Sequence, residues 1–342
     1  MDLTIGILSG GKSIRMGADK AKLIYKNKTF LENLLDEFKN YPIIISNNNP
    51  DMDIEGYKIV RDKYENIGPI SGILEILKEA ETENVFIVGV DMQFMNREAA
   101  EFLSTYVSCE NRIITFEDKG KLNPLGAIYP KSITPVLEDR INNQQYKLMD
   151  LLYDEDAKRV PLNYSKFNTI ILSNINYPSQ YKRLTGDNII CICGKKNSGK
   201  TTFISKVINL LSEEDYRIKY IKHDGHDFTV DEDRDSNIAF FNGANASVVY
   251  SDNKYQILGK PSKEVDYFLK DSRDYDLVII EGLKDSNFNK YEIIRKGNSN
   301  EIISSGPLKA VITDIDKNNF DKDTFDLNDV EKFVKYLKEE YL

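Results

Sequence analysis

Two stretches of this sequence combine residue types suited to holding phosphates. The first is Leu8-Ser-Gly-Gly-Lys-Ser-Ile-Arg-Met-Gly-Ala-Asp-Lys-Ala-Lys-Leu23. Gly10 and Gly11 allow a tight turn and a close backbone approach to a ligand. Unpaired amides in such a turn form an anion-binding concavity, and Leu8 and Ser9, which lead into it, are taken with both glycines as nucleotide-binding residues. Arg15 and Lys20 then add two cations to the same loop, a set suited to a triphosphate. Gly-Gly alone would read as a polar connection between a strand and a helix; the glycines and both cations together read as a phosphate site. The second stretch, Gly194-Lys-Lys-Asn-Ser-Gly-Lys-Thr201, is a complete Walker A string between an apolar strand and a periodic helix. In that setting the amides around Gly194, Asn197, Ser198, Gly199 and Thr202 cradle phosphates, Lys200 reaches the β- and γ-phosphates, and Thr201 is a ligand of Mg2+.

Each loop has a carboxylate to match. Val85-Phe-Ile-Val-Gly-Val-Asp91 and Asp276-Leu-Val-Ile-Ile-Glu281 are apolar runs ending in an acid, and a carboxylate at a strand end is a hard oxygen ligand for Mg2+. Taken alone, Asp91 could equally be a helix cap or turn residue. Attack of a phosphate on the α-phosphorus of a nucleotide needs no protein nucleophile. It needs alignment and neutralisation of the charge on the transferred group and the leaving pyrophosphate. Arg15, Lys20 and a metal on Asp91 meet that need. Both histidines, His223 and His226, lie in the second half, so the first half has no Ser-His or Cys-His pair. Two histidines with no thiolate nearby in sequence are too few for a zinc site. Cys191 and Cys193 fall on one side of a buried strand and read as small core residues.

The elements that must position these groups are short β-rich runs alternating with helical patterns, the signature of α/β architecture with mainly parallel sheets. In the first half the strands are expected at 3–8, 43–46, 57–60, 85–90, 112–116 and 169–173. Helices fall between them, one opened by the capping box Thr29-Phe-Leu-Glu32 and running through Phe38. Apolar spacing places two more at 70–77 and 99–106. The pattern resets near Thr185-Gly-Asp-Asn, where a new first strand begins. We therefore expect two α/β domains, 1–186 and 187–342, the second a P-loop NTPase domain by its Walker A string. In the second, strands are expected at 217–222, 246–250, 277–280, 291–295 and 308–313. Helices start at Lys200 and near 235–242, and a final helix carries Val330, Phe333, Val334 and Leu337 on one face.

Composition bounds the function. The chain has 342 residues, with 46 basic against 55 acidic side chains and a formal net charge of −9, which disfavours sequence-independent nucleic-acid binding. Three cysteines are too few for a disulfide framework in so long a chain and suit a reducing cytoplasm. No apolar run approaches the roughly 18 residues of a membrane helix. Asp2 stands where a signal peptide carries positive charge.

The first stretch resembles the Leu-x-Gly-Gly-x-x-x-Arg-Met-Gly-x-Asp-Lys-x-x-Leu signature of the molybdenum cofactor guanylyltransferases. The likeness continues in order: Ile43-Ile-Ile-Ser-Asn-Asn-Asn49, Val60-Arg-Asp62, Gly68-Pro-Ile-Ser-Gly72, Val90-Asp-Met-Gln-Phe94, Asn123-Pro-Leu-Gly126 and Asn174-Ile-Asn176. Gln93 stands where that family usually has proline. The resemblance implies a Rossmann-like nucleotidyltransferase fold for residues 1–186, and transfer of GMP from Mg-GTP to the phosphate of molybdenum-bound molybdopterin, with release of pyrophosphate. It implies base contacts from an Asn in the second strand, where Asn47 or Asn48 fits the register and Asn48 is our assignment. It also implies a nucleotide role for Asp62 and a pterin role for Asn174 and Asn176. Cytidylyl transfer to the same pterin is the alternative; Ser9-Gly-Gly11, in place of Ala-Ala-Gly, favours guanine.

The second half resembles the small GTP-binding adaptor of molybdopterin guanine dinucleotide synthesis, through its Walker A string, Lys222-His-Asp-Gly-His226, Glu281-Gly-Leu-Lys284 and Glu292-Ile-Ile-Arg295. Asp233 replaces a glycine of that family's Gly-Lys-Asp-Ser. This likeness implies GTP binding with Mg2+ on Thr201 and Glu281, and weak GTP hydrolysis. The alternative is a nucleotide-gated carrier or regulator without useful turnover. Molybdoenzymes or their chaperones are the further partners the resemblance implies.

Overall fold

The computed structural model describes residues 3–10, 15–64, 66–107, 111–224, 230, 235–260, 263–316 and 319–342. Two compact units divide the chain, Met1–Gln180 and Tyr181–Leu342.

The first unit is built on an eight-stranded sheet. Its main strands are β1 (Thr4–Leu8), β2 (Ile43–Ser46), β3 (Lys58–Val60), β4 (Asn84–Gly89), β5 (Ile114–Asp118), β6 (Ala127–Pro130) and β7 (Lys158–Pro161). They lie in the order β7-β5-β6-β4-β1-β2-β3, with the two-residue strand Lys121–Leu122 added to β5. Strand β6 runs antiparallel to both its neighbours, and the strands from β4 to β3 are parallel. Residues of β1 and β2 are buried throughout, as befits strands covered on both faces. The chain leaves β1 towards β2 and β3, then returns to add β4 on the other side. The crevice where strand order reverses, outside the carboxyl ends of β1 and β4, is where open α/β sheets bind ligands. Leu8 closes β1 there and Asp91 follows β4.

Helix α1 (Phe30–Glu37) opens with the full capping box, Thr29 and Glu32 exchanging side-chain and backbone hydrogen bonds. Helices α2 (Pro69–Glu79) and α3 (Arg97–Ser104) also lie where apolar spacing puts them. The strand expected at 169–173 is instead a 3-10 turn, Thr169–Leu172. The Asn168 side chain accepts a hydrogen bond from the Ile170 amide and starts that turn, while the place beside β5 is filled by β7. Two helices, α4 (Thr134–Asn142) and α5 (Leu148–Asp154), complete the core on the α2 side through Leu137, Ile141, Leu151 and Leu152. The helix α6 (Pro178–Thr185) contains the division between the units.

The second unit has a six-stranded, all-parallel sheet. Its strands are β8 (Ile189–Gly194), β9 (Ile218–Lys222), β12 (Leu277–Glu281), β13 (Asn289–Ile294), β14 (Leu308–Thr313) and β15 (Asp323–Asp326), in the order β9-β12-β8-β13-β14-β15. Strands β10 (Ala246–Tyr250) and β11 (Tyr255–Gly259) form a separate antiparallel hairpin against α8 (Asp235–Phe241). Helices α7 (Lys200–Ser212) and α9 (Val330–Tyr341) cover one face of the main sheet, with Phe203, Tyr291, Phe333 and Leu337 at its centre. Among the described residues, no helix is long and apolar enough to cross a membrane.

Candidate active site and a second phosphate loop

In the first unit, the end of β1 is locked between its neighbours. The Ser9 amide donates to the Ser46 carbonyl (2.9 Å) and the Val90 amide to the Leu8 carbonyl (2.9 Å). Asn47 is buried, and its Nδ2 donates to the Ser9 carbonyl (3.0 Å) and Oγ (3.3 Å) while its Oδ1 accepts from the Asn49 amide. Leu8 and Ser9 are therefore buried and Gly10 is exposed at the crevice. Gly11 lies outside the described residues. Asn48, next to Asn47, is exposed. Its Oδ1 accepts from the Asp62 amide (2.8 Å) and its Nδ2 donates to Asp62 Oδ2 (3.1 Å). Ser46 Oγ holds the other Asp62 oxygen (3.0 Å). The two asparagines thus divide the labour: Asn47 fixes the loop, and Asn48 with Asp62 presents amide and carboxylate groups at the rim.

One of the two cations meets the carboxylate. Lys20 Nζ donates to Asp91 Oδ2 at 2.8 Å and to Asn176 Oδ1 at 2.6 Å. Both side chains of the ion pair are largely buried, 16% and 15% exposed, so this contact is better shielded than a surface pair. Arg15 Nη1 donates to the Tyr177 hydroxyl at 3.4 Å, and its guanidinium lies 5.9 Å from that ring's centre. The turn carrying Asp91 is fastened by Gln93, whose Nε2 donates to the carbonyls of Val90 (2.8 Å) and Phe30 (3.0 Å). A glutamine in the usual proline position supplies by hydrogen bonds the rigidity a ring would give. Gly89 matters here: a Cβ on it would come within 2.7 Å of Asp91 Oδ1. The Ile175 amide donates to the Asp91 carbonyl (3.0 Å), which brings Asn174 and Asn176 to the same crevice. The buried Oδ1 of Asn174 has no hydrogen-bond partner.

In the second unit, the Walker A string leaves β8 through Gly194, at φ +142°, where a Cβ would meet the Ile293 carbonyl at 2.5 Å. Asn197 and Gly199 also take positive φ, at +64° and +90°, and α7 starts at Lys200. Lys200 Nζ folds back on its own loop, donating to the Gly194 (3.0 Å) and Lys195 (2.8 Å) carbonyls. Burial lowers the pKa of its ammonium, with the Glu281 carboxylate acting in the opposite direction. Thr201 Oγ1 lies 2.9 Å from both oxygens of Glu281, which also accepts from the Tyr220 hydroxyl at 2.6 Å. Glu281 is buried, and Thr202 is exposed beside Thr201. Ser198 is buried within the loop with an unpartnered Oγ.

Cys191 and Cys193 are buried, and desolvation pushes their thiols up to about 11 and about 12. His223 is exposed; His226 and Asp233 fall outside the described residues. Sequence reading passed over Tyr177, Ser46 and Tyr220. Tyr177 follows the Asn-x-Asn string directly, which was the available signal; the other two meet their partners only through the parallel register.

A nucleotidyltransferase is the class these features define: a glycine loop, two cations and a strand-end carboxylate at the switch point of an α/β sheet. The chain matches the MobA-like NTP transferase domain over residues 5–159 and Molybdopterin guanine dinucleotide synthesis protein B over 189–314. It is 34% identical over 157 residues to a probable molybdenum cofactor guanylyltransferase of Clostridium perfringens, covering 45% of this chain and 79% of the relative. A relative of the same description from Flavobacterium johnsoniae is 31% identical over 179 residues, 51% of this chain and 92% of its own. The solved structure of a MobB protein homolog from Bacillus stearothermophilus is 24% identical, covers 45% of this chain and 97% of its own, and has a TM-score of 0.36. The chain belongs to the molybdenum cofactor guanylyltransferase family and carries a MobB domain behind its transferase domain.

Proposed function

We propose that the first unit transfers GMP from GTP to the terminal phosphate of molybdenum-bound molybdopterin, releasing pyrophosphate, and that the second is a GTP-binding adaptor working with it in the cytoplasm. The observation carrying this reading is the Lys20–Asp91–Asn176 cluster at the crevice between β1 and β4, in a chain of this family. An oxygen of the acceptor phosphate attacks the α-phosphorus of GTP, and the bond from that phosphorus to the β-phosphate's bridging oxygen breaks. The electron pair leaves with pyrophosphate, so charge grows on the leaving group. Lys20 and Arg15 neutralise that charge, and holding both reactants in line supplies much of the remaining acceleration. Asn48 and Asp62 face the guanine, and Asn174 and Asn176 face the acceptor.

A divalent metal, Mg2+ in this reading, fits Asp91: the carboxylate is a hard oxygen donor beside a cation, and the missing Cβ of Gly89 keeps space open next to Oδ1. Bound there, it would neutralise phosphate charge. In the second unit, Thr201 hydroxyl and Glu281 carboxylate form a second oxygen pair of the kind that holds Mg2+ with a bound nucleotide. Molybdoenzymes or their chaperones are the natural recipients of the product.

The test is to incubate the full chain with molybdopterin, molybdate, Mg2+ and each nucleoside triphosphate in turn, and identify the dinucleotide by mass. The guanine dinucleotide is expected from GTP alone. A cytosine dinucleotide formed as readily from CTP would overturn the guanine assignment.

A further inference from the structure

Four successive residues, Asn174 to Tyr177, run past the active-site groups of the first unit, and three of them touch one each. The Ile175 amide is on the Asp91 carbonyl, the Asn176 side chain is on Lys20, and the Tyr177 ring and hydroxyl are on Arg15. The segment is itself held firmly. Ile175 is buried, and Gln180 Oε1 accepts from the backbone amides of Asn176 (2.6 Å) and Tyr177 (3.1 Å) just before α6 begins at Pro178. A carboxamide reaching back from the third helical position to the residue before the helix is half of a capping box, and it fixes the entry of the chain. Tyr177 is therefore a fixed aromatic group, with 45% of its surface exposed, and the exposed Arg15 side chain rests on it.

An exposed arginine on a loop otherwise samples many rotamers, and ordering it costs free energy at the moment the nucleotide binds. A planar guanidinium is suited to both contacts Tyr177 offers, the ring and the hydroxyl oxygen. We infer that Tyr177 is a positioning residue for Arg15: it holds the guanidinium on the side of the crevice occupied by Lys20, so that the two cations meet the triphosphate already assembled. The inference rests on the proposed transfer reaction and adds to it a residue that acts through Arg15.

Steady-state transfer kinetics of the full chain test this with a double-mutant cycle. Tyr177→Ala loses both contacts, and kcat/KM for GTP is expected to fall roughly tenfold. Tyr177→Phe keeps the ring, and a fall of about two- to fourfold is expected. In an Arg15→Ala background, Tyr177→Ala is expected to cause no further loss, because the group it positions is gone. KM for the pterin acceptor stays unchanged in both tyrosine variants. An undiminished loss in the Arg15→Ala background would overturn the inference, and so would a rise in acceptor KM with GTP kinetics unaltered. If Tyr177→Ala does not fold, the same cycle is run with Tyr177→Phe. GTP affinity of the same set, measured by calorimetry in a Lys200→Ala background that weakens the second loop, reads the coupling without transfer. A wild-type chain that transfers no GMP would count against the proposed function, while this binding cycle would still decide the role of Tyr177.

Discussion

The two phosphate loops follow one plan and hold their key cation in different ways. Each leaves the first strand of its unit, and each faces an acid at the end of a neighbouring parallel strand, β4 in one case and β12 in the other. In the second unit the cation is held locally: Lys200 rests on carbonyls of its own loop, six and five positions away in sequence, and Glu281 is occupied by Thr201 and Tyr220. In the first unit the cation is held from a distance. Lys20 bridges Asp91 and Asn176, 71 and 156 positions away, and Arg15 reaches Tyr177, 162 positions away. A Walker A loop is shaped by its own backbone. The cations of the transferase loop are held by side chains far along the chain, and Lys20 sits on Asp91, the acid proposed to hold the metal. The first cation is thus tied by an ion pair to a distant acid, and the second by carbonyls of its own loop.

The largest effect that would break this comparison is at Asp91. Asp91→Asn keeps the size of the side chain and removes its charge, so the carboxylate proposed to hold the metal and the ion pair with Lys20 are lost, while Asn176 still accepts from Lys20. Transfer is expected to fall by about a hundredfold or more, as for loss of a charge-stabilising group. GMP transfer near the wild-type rate in a product-mass assay would put the metal elsewhere.

That difference also explains what could be read from the residues alone. The Walker A string is legible because its partners are its own neighbours, and φ values at Gly194 and Gly199 are what such a string requires. The capping box at Thr29 and the strands ending at Leu8, Ser46 and Glu281 were legible for the same reason: local chemistry decided them. The apolar run at Thr169–Leu172 fits a strand or a 3-10 turn equally, and the Asn168 side chain together with the occupied sheet edge decides for the turn. Tyr177 could not be connected to Arg15 by spacing, since only the folded segment brings them together. The same holds for the division of roles between Asn47 and Asn48, adjacent residues of one type that burial separates.

That pair sharpens the comparison at a smaller scale. The first loop is held by the Asn47 side chain, so Asn47→Ala leaves the Ser9 groups and the Asn49 amide without their partner. Stability in urea is expected to fall by about 1–3 kcal/mol. Asn48→Ala, at an exposed position, is expected to leave the unfolding midpoint nearly unchanged and to raise KM for GTP severalfold. The reverse pattern would exchange the roles of the two asparagines.

The separation of the two sites is tested by one variant measured in two ways. Lys200→Ala removes the cation of the second loop and leaves the first loop and its partners intact. Charge-assisted contacts of this kind are worth about 1.5–3 kcal/mol, so GTP affinity at the second site is expected to fall roughly ten- to a hundredfold by calorimetry on the full chain. GMP transfer by the same preparation, with saturating GTP and free molybdenum-loaded pterin, is expected to stay close to the wild-type rate. A collapse of transfer in that variant, with the first unit still folded, would contradict two independent phosphate sites and make the second loop part of the reaction.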